Sequence, residues 1–312
     1  MPGQGASCIS ITRGCPHHET AYKKVITITI NRIPTAIPTL DTIIRGGFPS
    51  GSLVLLIGDA GAGSTEFAYT SAALHSMLKK NPDIKRSATD QLKILLQKDE
   101  NLKFPEKMCY ISFTHTKEDL LAELAHAFTP DFPEALSGNM VFSDLSAGSL
   151  FPGCNKEDWQ SIKSFKSVDE EREIMKELVA ALEANAPGNL VIIDSLTSLF
   201  RACSRFMTWN DSVAFLEELQ RKSKKWGGLV YILLGKGVFD SMKEEEMMGV
   251  VDGVLVFEWF EEGFARQQGM YMKKFRGVMP HVAKDFIIRF DTMVTNTEGF
   301  VVTNVKRIFG RK

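Results

Sequence analysis

The chain lacks an excess of either charge, since 37 Lys and Arg residues stand against 38 Asp and Glu for a formal net charge of -1. That balance gives no global electrostatic footprint for a polyanion. No helix-hairpin-helix module is recognisable either, so nucleic acid is not an expected partner, while short irregular strand-binding loops would leave no mark on such sums. Long apolar runs are missing as well. None approaches the roughly 18 residues of a membrane span, and the N-terminus has no apolar core of the signal-peptide kind. The expectation is a cytoplasmic protein without a membrane partner. Cysteine is sparse: Cys8, Cys15, Cys109, Cys154 and Cys203 are scattered over 312 residues, which reads as a reducing compartment and not a disulfide framework. No Pro-, Gly- or Ser-rich linker divides the chain and no internal repeat appears. With 44% hydrophobic residues, it has enough apolar material for one large α/β domain.

Residues 1–24 mix Gly, Pro, Ser and Thr without periodicity and read as a flexible tail. Cys8, Cys15, His17 and His18 lie in it, but their spacing matches no short zinc motif. Regular structure is expected from Val25, where VITITIN alternates as in a half-buried strand, so the domain is read as 25–312. TLDTIIR (Thr39 to Arg45) reads as a short helical turn closed by Gly46 and Gly47, and SLVLLIG (Ser52 to Gly58) as a fully buried strand. A helix from Ser64 to about Lys80 follows. Strands at KMCYISF, NMVFSD, NLVIID and LVYILLG then alternate with helices at about Lys117 to Phe128, Val168 to Asn185 and Asp211 to Trp226. Such alternation predicts a mostly parallel sheet with helices on both faces. GVLVFEW, QGMYMKKFRG, KDFIIRF and GFVVTNV, separated by short turns, predict antiparallel hairpins at the sheet edge. Residues 81–106 are long and charged for a connection and read as a solvated helical insertion.

Chemistry begins at Gly58, where GDAGAGST stands between an apolar strand and a helix. That is the context of a phosphate-binding loop, in which glycines let backbone N–H groups turn inward, a lysine reaches the terminal phosphates and a hydroxyl holds Mg²⁺. Gly58, Gly61, Ala62, Gly63 and Thr65 fit the pattern, but Ser64 stands where the lysine belongs. The plainer reading is a Gly-rich turn needed only to join strand to helix. Downstream, Asp194 ends the apolar run LVIID, as an aspartate that orients the Mg²⁺ shell would. Asp and Ser at a strand end also cap following helices for purely structural reasons.

Taken together, the pattern from about Ile33 to Val305 resembles the KaiC branch of the RecA superfamily of P-loop ATPases. RIPTAIPTLDTIIRGGFPSGSLVLLIGDAGAG resembles its leading segment, YISFTHTKEDLLAEL its second strand and helix, NLVIIDSLTSLF its Walker B strand, and VVDGVLVFEW with MKKFRG its closing hairpin. The resemblance implies ATP with Mg²⁺ held by Thr65 and Asp194, and a homo-oligomeric ring or filament or another protein partner. In the family, KxRG reaches a nucleotide held by the neighbouring subunit, which implies that role for Lys274 and Arg276; arginine suits it because its charged fork pairs with phosphate oxygens. Basic residues on an edge strand also blunt aggregation without any ligand.

The departures from the family bear on activity. Thr114 and His115 stand where the family carries a pair of glutamates, one of which activates the hydrolytic water, and His115 is either a base near neutral pH or an ordinary polar residue. Glu66 sets a carboxylate in the first turn of the loop helix, where phosphate would otherwise be favoured. Losing one charge-assisted bond removes roughly 1.5–3 kcal/mol, about one to two decades of affinity, which binding survives more readily than catalysis. Three readings remain: a nucleotide-binding regulatory or assembly protein with weak or absent hydrolysis, an ATPase using an atypical lysine such as Lys236 or Lys274, and a scaffold that binds no nucleotide.

Overall fold

A run as uniformly apolar as SLVLLIG is stable as a strand only when both of its faces are covered, and all seven residues of β3 (Ser52–Gly58) are buried. The computed structural model describes residues 31–80, 90–91, 94, 100–146, 168–262, 265–276 and 286–309. The tail at 1–24, the strand expected from Val25 and most of the 81–106 insertion lie outside the described residues. Within that insertion residues 90, 91 and 94 are helical, as expected; at its end, Arg32 N–H donates to Asn101 O at 3.0 Å and Lys103 N–H to Arg32 O at 2.7 Å, so residues around Leu102 run extended beside β1 (Arg32–Ile33). β1 itself pairs with β2 (Phe48–Pro49).

Parallel partners flank β3 on both sides: β7 (Leu229–Gly235), with Gly58 level with Gly235, and β8 (Gly253–Glu262). Beyond β7 come β6 (Leu190–Asp194), β4 (Met108–Ser112) and β5 (Met140–Asp144), all parallel. Beyond β8, the strands β9 (Ala265–Phe275), β10 (Phe286–Thr295) and β11 (Gly299–Phe309) form an antiparallel meander. Among the described residues the nine strands run β11-β10-β9-β8-β3-β7-β6-β4-β5. The alternating side chains of β3 sort the core into two layers. Val54 and Leu56 face α1 (Pro38–Ile43), α2 (Ser64–Lys80), α3 (Lys117–Ala127) and α4 (Asp131–Ser137). Leu53, Leu55 and Ile57 face α5 (Val168–Asn185), α6 (Leu196–Ala202), α7 (Trp209–Trp226) and α8 (Ser241–Val250). The expected α/β sheet with edge hairpins is thus present, with α4, α6 and α8 added to the helices legible in the sequence.

Helix starts follow local chemistry. Thr116 and Asp119 form a capping box at α3, Thr208 and Asp211 another at α7, and Asp240 caps α8. Gly227, left-handed at φ 66, stops α7.

Two buried ionisable groups, Asp41 in α1 and His75 in α2, bond to the adjacent residues Thr35 and Pro34. Asp41 is fully buried, and its Oδ1 accepts from the Thr35 N–H at 2.7 Å and hydroxyl at 2.9 Å. Burial outweighs those bonds and raises its carboxyl from 3.8 to about 7. His75, in α2, donates from Nε2 to Pro34 O at 2.9 Å, and burial lowers it from 6.5 to about 4. Folded Asp41 keeps a proton that the unfolded chain has lost, so its contribution to stability falls as pH rises between these values. Folded His75 refuses a proton that the unfolded chain accepts, so its contribution falls as pH drops. Between about pH 4 and 6.5 the two slopes oppose each other. Relative to the parent chain, Asp41→Asn is expected to make stability rise with pH across that window by up to about 1.4 kcal/mol per unit, and His75→Gln to make it fall. Denaturant unfolding at half-unit pH steps checks this, and differences of the same sign for both variants would refute it.

Candidate functional site

The parallel strands end on one rim, at Gly58, Gly235, Asp194 and Ser112. The GDAGAGST turn rises from that rim into α2, which begins at Ser64. Gly61 and Gly63 adopt φ of +71° and +102°, left-handed values that side chains rarely take, and a Cβ on Gly63 would sit 3.0 Å from the Phe300 ring. Ala62 N–H closes the turn on Asp59 O at 3.0 Å, and Phe67 N–H starts the helix on Gly63 O at 2.9 Å. No acceptor meets the N–H groups of Gly61, Gly63, Ser64 or Thr65 among the described residues. The Ser64 side chain lies against Gly58, whose added Cβ would meet Ser64 Oγ at 3.2 Å.

The carbonyls of the same turn are occupied. Trp259 Nε1 donates to Ala60 O at 3.1 Å and Gln268 Nε2 to Gly61 O at 2.8 Å, so the β8–β9 hairpin grips the loop from outside. The Arg266 guanidinium covers the Trp259 ring at 4.7 Å. At the foot of the loop, Lys236 N–H donates to Gly58 O at 2.8 Å. Its ammonium pairs with Glu258 and lies 3.8 Å from Asp59 Oδ1. Partial burial pulls the Lys236 ammonium down, but these carboxylates outweigh it and hold it above the usual lysine range.

Asp194 is half-buried on the rim, and one carboxylate oxygen accepts from the Tyr110 hydroxyl. Tyr69, one turn into α2 from Thr65, places its hydroxyl 3.3 Å from that of Tyr110. The three groups thus link the loop helix to β4 and β6. Burial raises the Asp194 carboxyl, against the Tyr110 bond and the charge of His115, which lower it. His115 and Thr114 are exposed at the end of β4, where both N–H groups donate to Ser112 Oγ, at 2.8 and 3.3 Å. His115 therefore lies within electrostatic reach of Asp194 but outside the turn itself.

Lys274 and Arg276 are not at this rim. Lys274 pairs with Val254, three residues before Phe257, the partner of Gly58, which puts it about 10 Å down the sheet from the loop. Its ammonium donates to Met248 O at 2.8 Å and Gly249 O at 2.6 Å, and Arg276 reaches Gly249 O at 3.3 Å, so both complete the C-terminal end of α8. The structure thus gathers Gly58, Gly61, Ala62, Gly63, Ser64, Thr65 and Asp194 at one rim and separates the two basic residues from them. The sequence did not single out Tyr69, Tyr110, Glu258, Trp259 or Gln268. Their only signal was polar or aromatic character within elements read for their apolar pattern.

Residues 33–77, from within β1 to near the end of α2, match the family model of the KaiC ATPase. None of the curated proteins matches the chain in sequence. Among solved structures, a KaiC-like protein from the hyperthermophilic archaeon Pyrococcus horikoshii OT3 is similar, with a TM-score of 0.58 at 19% identity, covering 88% of this chain and 100% of that one. At that identity the likeness speaks to the fold. The chain thus shares the fold of a KaiC-like protein, and its residues 33–77 match the KaiC ATPase family model.

Proposed function

We propose that the chain binds a nucleotide by its phosphates at the start of α2 and hydrolyses it weakly or not at all, as a regulatory or assembly component. The four N–H groups of Gly61, Gly63, Ser64 and Thr65, without acceptors and gathered at a helix N-terminus, carry this reading. An anion there replaces water on donors that the fold leaves unpaired. The Thr65 hydroxyl and the second oxygen of Asp194 have no partner among the described residues. They are oxygen donors of the kind Mg²⁺ takes, and the ion would neutralise phosphate charge.

Weak hydrolysis follows from what surrounds the nest. Ser64 supplies no charge, Glu66 adds a negative one, and the strand end that would offer a glutamate offers Thr114 and an exposed His115. Phosphoryl transfer depends on charge stabilisation and a placed nucleophile together, so both deficits act on the same step.

Assembly is supported by the position of Lys274 and Arg276. Lys274 lies roughly 10 Å along the sheet from its own loop and Arg276 is two residues farther on, which suits them to a phosphate held by another copy. A homo-oligomeric ring or filament with nucleotide between subunits is the arrangement this geometry favours.

Excess Mg-ATP at about 100 times its dissociation constant is expected to stabilise the folded chain by about 2.7 kcal/mol, read as a rise in melting temperature. Ser64→Lys restores the missing charge and is expected to tighten ATP binding by roughly one to two decades in calorimetric titration. Absence of any shift or heat for both proteins would overturn the reading and leave an interaction scaffold. Turnover at high protein concentration that Asp194→Ala abolishes would instead establish an ATPase. Light scattering on a sizing column is expected to show a larger species with ATP than without, and Arg276→Ala is expected to hold the chain in the smaller one.

A further inference from the structure

Lys236 follows the last residue of β7, beside the strand that carries the loop. Its N–H is bonded to Gly58 O, and the next N–H, on Gly237, donates to Glu244 Oε1 at 2.7 Å. The backbone is therefore pinned on both sides, and the freedom left at this position belongs to the side chain. A lysine carries a compact charge on a flexible four-carbon stem, which lets the ammonium move while its Cα stays fixed.

Among the described residues, Lys236 is the cation paired with a side chain of the loop, through Asp59. It also pairs with Glu258, which is 19% exposed and accepts from the Tyr271 hydroxyl at 3.4 Å. Two carboxylates thus share one ammonium at the foot of a turn whose N–H groups are unpaired. We infer that Lys236 supplies, from the tip of β7, the positive charge that the loop lacks at Ser64, and that Asp59 and Glu258 hold it until a nucleotide polyphosphate takes their place. The inference rests on the phosphate-binding reading above.

The exchange is balanced in charge. A polyphosphate offers an ammonium more negative charge than two carboxylates do, and it gains bonds from the free N–H groups in the same event. In return Asp59 and Glu258 go back to solvent, which their partial exposure on the rim allows. Glu258 therefore acts against binding. Removing its charge frees the lysine without touching the nest.

Calorimetric titration of Mg-ATP into the wild-type chain, Lys236→Met, Glu258→Gln, Ser64→Lys and the Ser64→Lys/Lys236→Met double variant tests this. Lys236→Met is expected to weaken binding by roughly ten- to a hundred-fold, the loss of one charge-assisted phosphate contact. Glu258→Gln is expected to tighten it. With a lysine back in the loop, removing Lys236 is expected to matter far less than in the wild type, a coupling that a merely structural ion pair would not produce. Denaturant unfolding of Lys236→Met accompanies the titrations to show that the variant is folded. If wild type and Ser64→Lys both fail to bind, the phosphate-binding reading falls and this inference with it. Binding by wild type that Lys236→Met leaves unchanged, or an equal loss in both backgrounds, overturns the inference alone. A Glu258→Gln affinity at or below that of wild type overturns the holding role of the carboxylates.

Discussion

A peptide group has two ends, and in a trans peptide they point in opposite directions. Trp259 and Gln268 hold the carbonyls of Ala60 and Gly61 on the outer side of the loop. The N–H of Gly61, in the same peptide as the Ala60 carbonyl, is thereby aimed the other way. The orientation of this loop N–H is thus set by contacts from a distant hairpin and not by a lysine of the loop. That hairpin can make them because β8 lies parallel beside β3, so its far end and the loop share one rim. Phe300, from β11, closes over Gly63 from another side. The meander at the sheet edge is therefore part of the site, although none of its residues needs to touch a phosphate.

The distribution of charge gives the site its character. A loop lysine would put a cation inside the nest permanently. Here the nearest ion-paired ammonium stands at its foot in the company of two carboxylates, with Glu66 on the first turn of α2. The unliganded rim is consequently more acidic than its glycines imply. In the proposed exchange, affinity depends on how readily pairs already formed are given up, a different control from the number of donors.

Much of the fold was legible because it is written in local pattern. β3 and α2 have the limits read from SLVLLIG and from the helix after the glycines, since a fully apolar strand and a Gly-rich turn leave little choice of register. The short helices α4 and α6, seven residues each, were not, because so short a stretch carries no period to detect. α8 was missed for a related reason: SMKEEEMMGV has no strong apolar stripe, and only its Asp240 cap announces it. The site was legible at Gly58 to Thr65 and at Asp194, where identity and position coincide. It was illegible at Tyr110, Trp259 and Gln268, whose partners lie 84, 199 and 207 residues away. No local pattern encodes such pairs, and topology alone brings them together.

Helix α8 touches two places that matter. Near its N-terminal end, Glu244 accepts from Gly237, in the turn that carries Lys236; at its C-terminal end, Met248 and Gly249 receive Lys274 and Arg276. Glu244 and Met248 are four residues apart, so about one helical turn separates the two contacts. If the two basic side chains leave their carbonyls for a neighbouring copy, the helix loses the contacts that fix one end, and the turn at Lys236 is attached to the other. In the proposed assembly, contact between copies and charge at the loop are joined across about one turn of this helix.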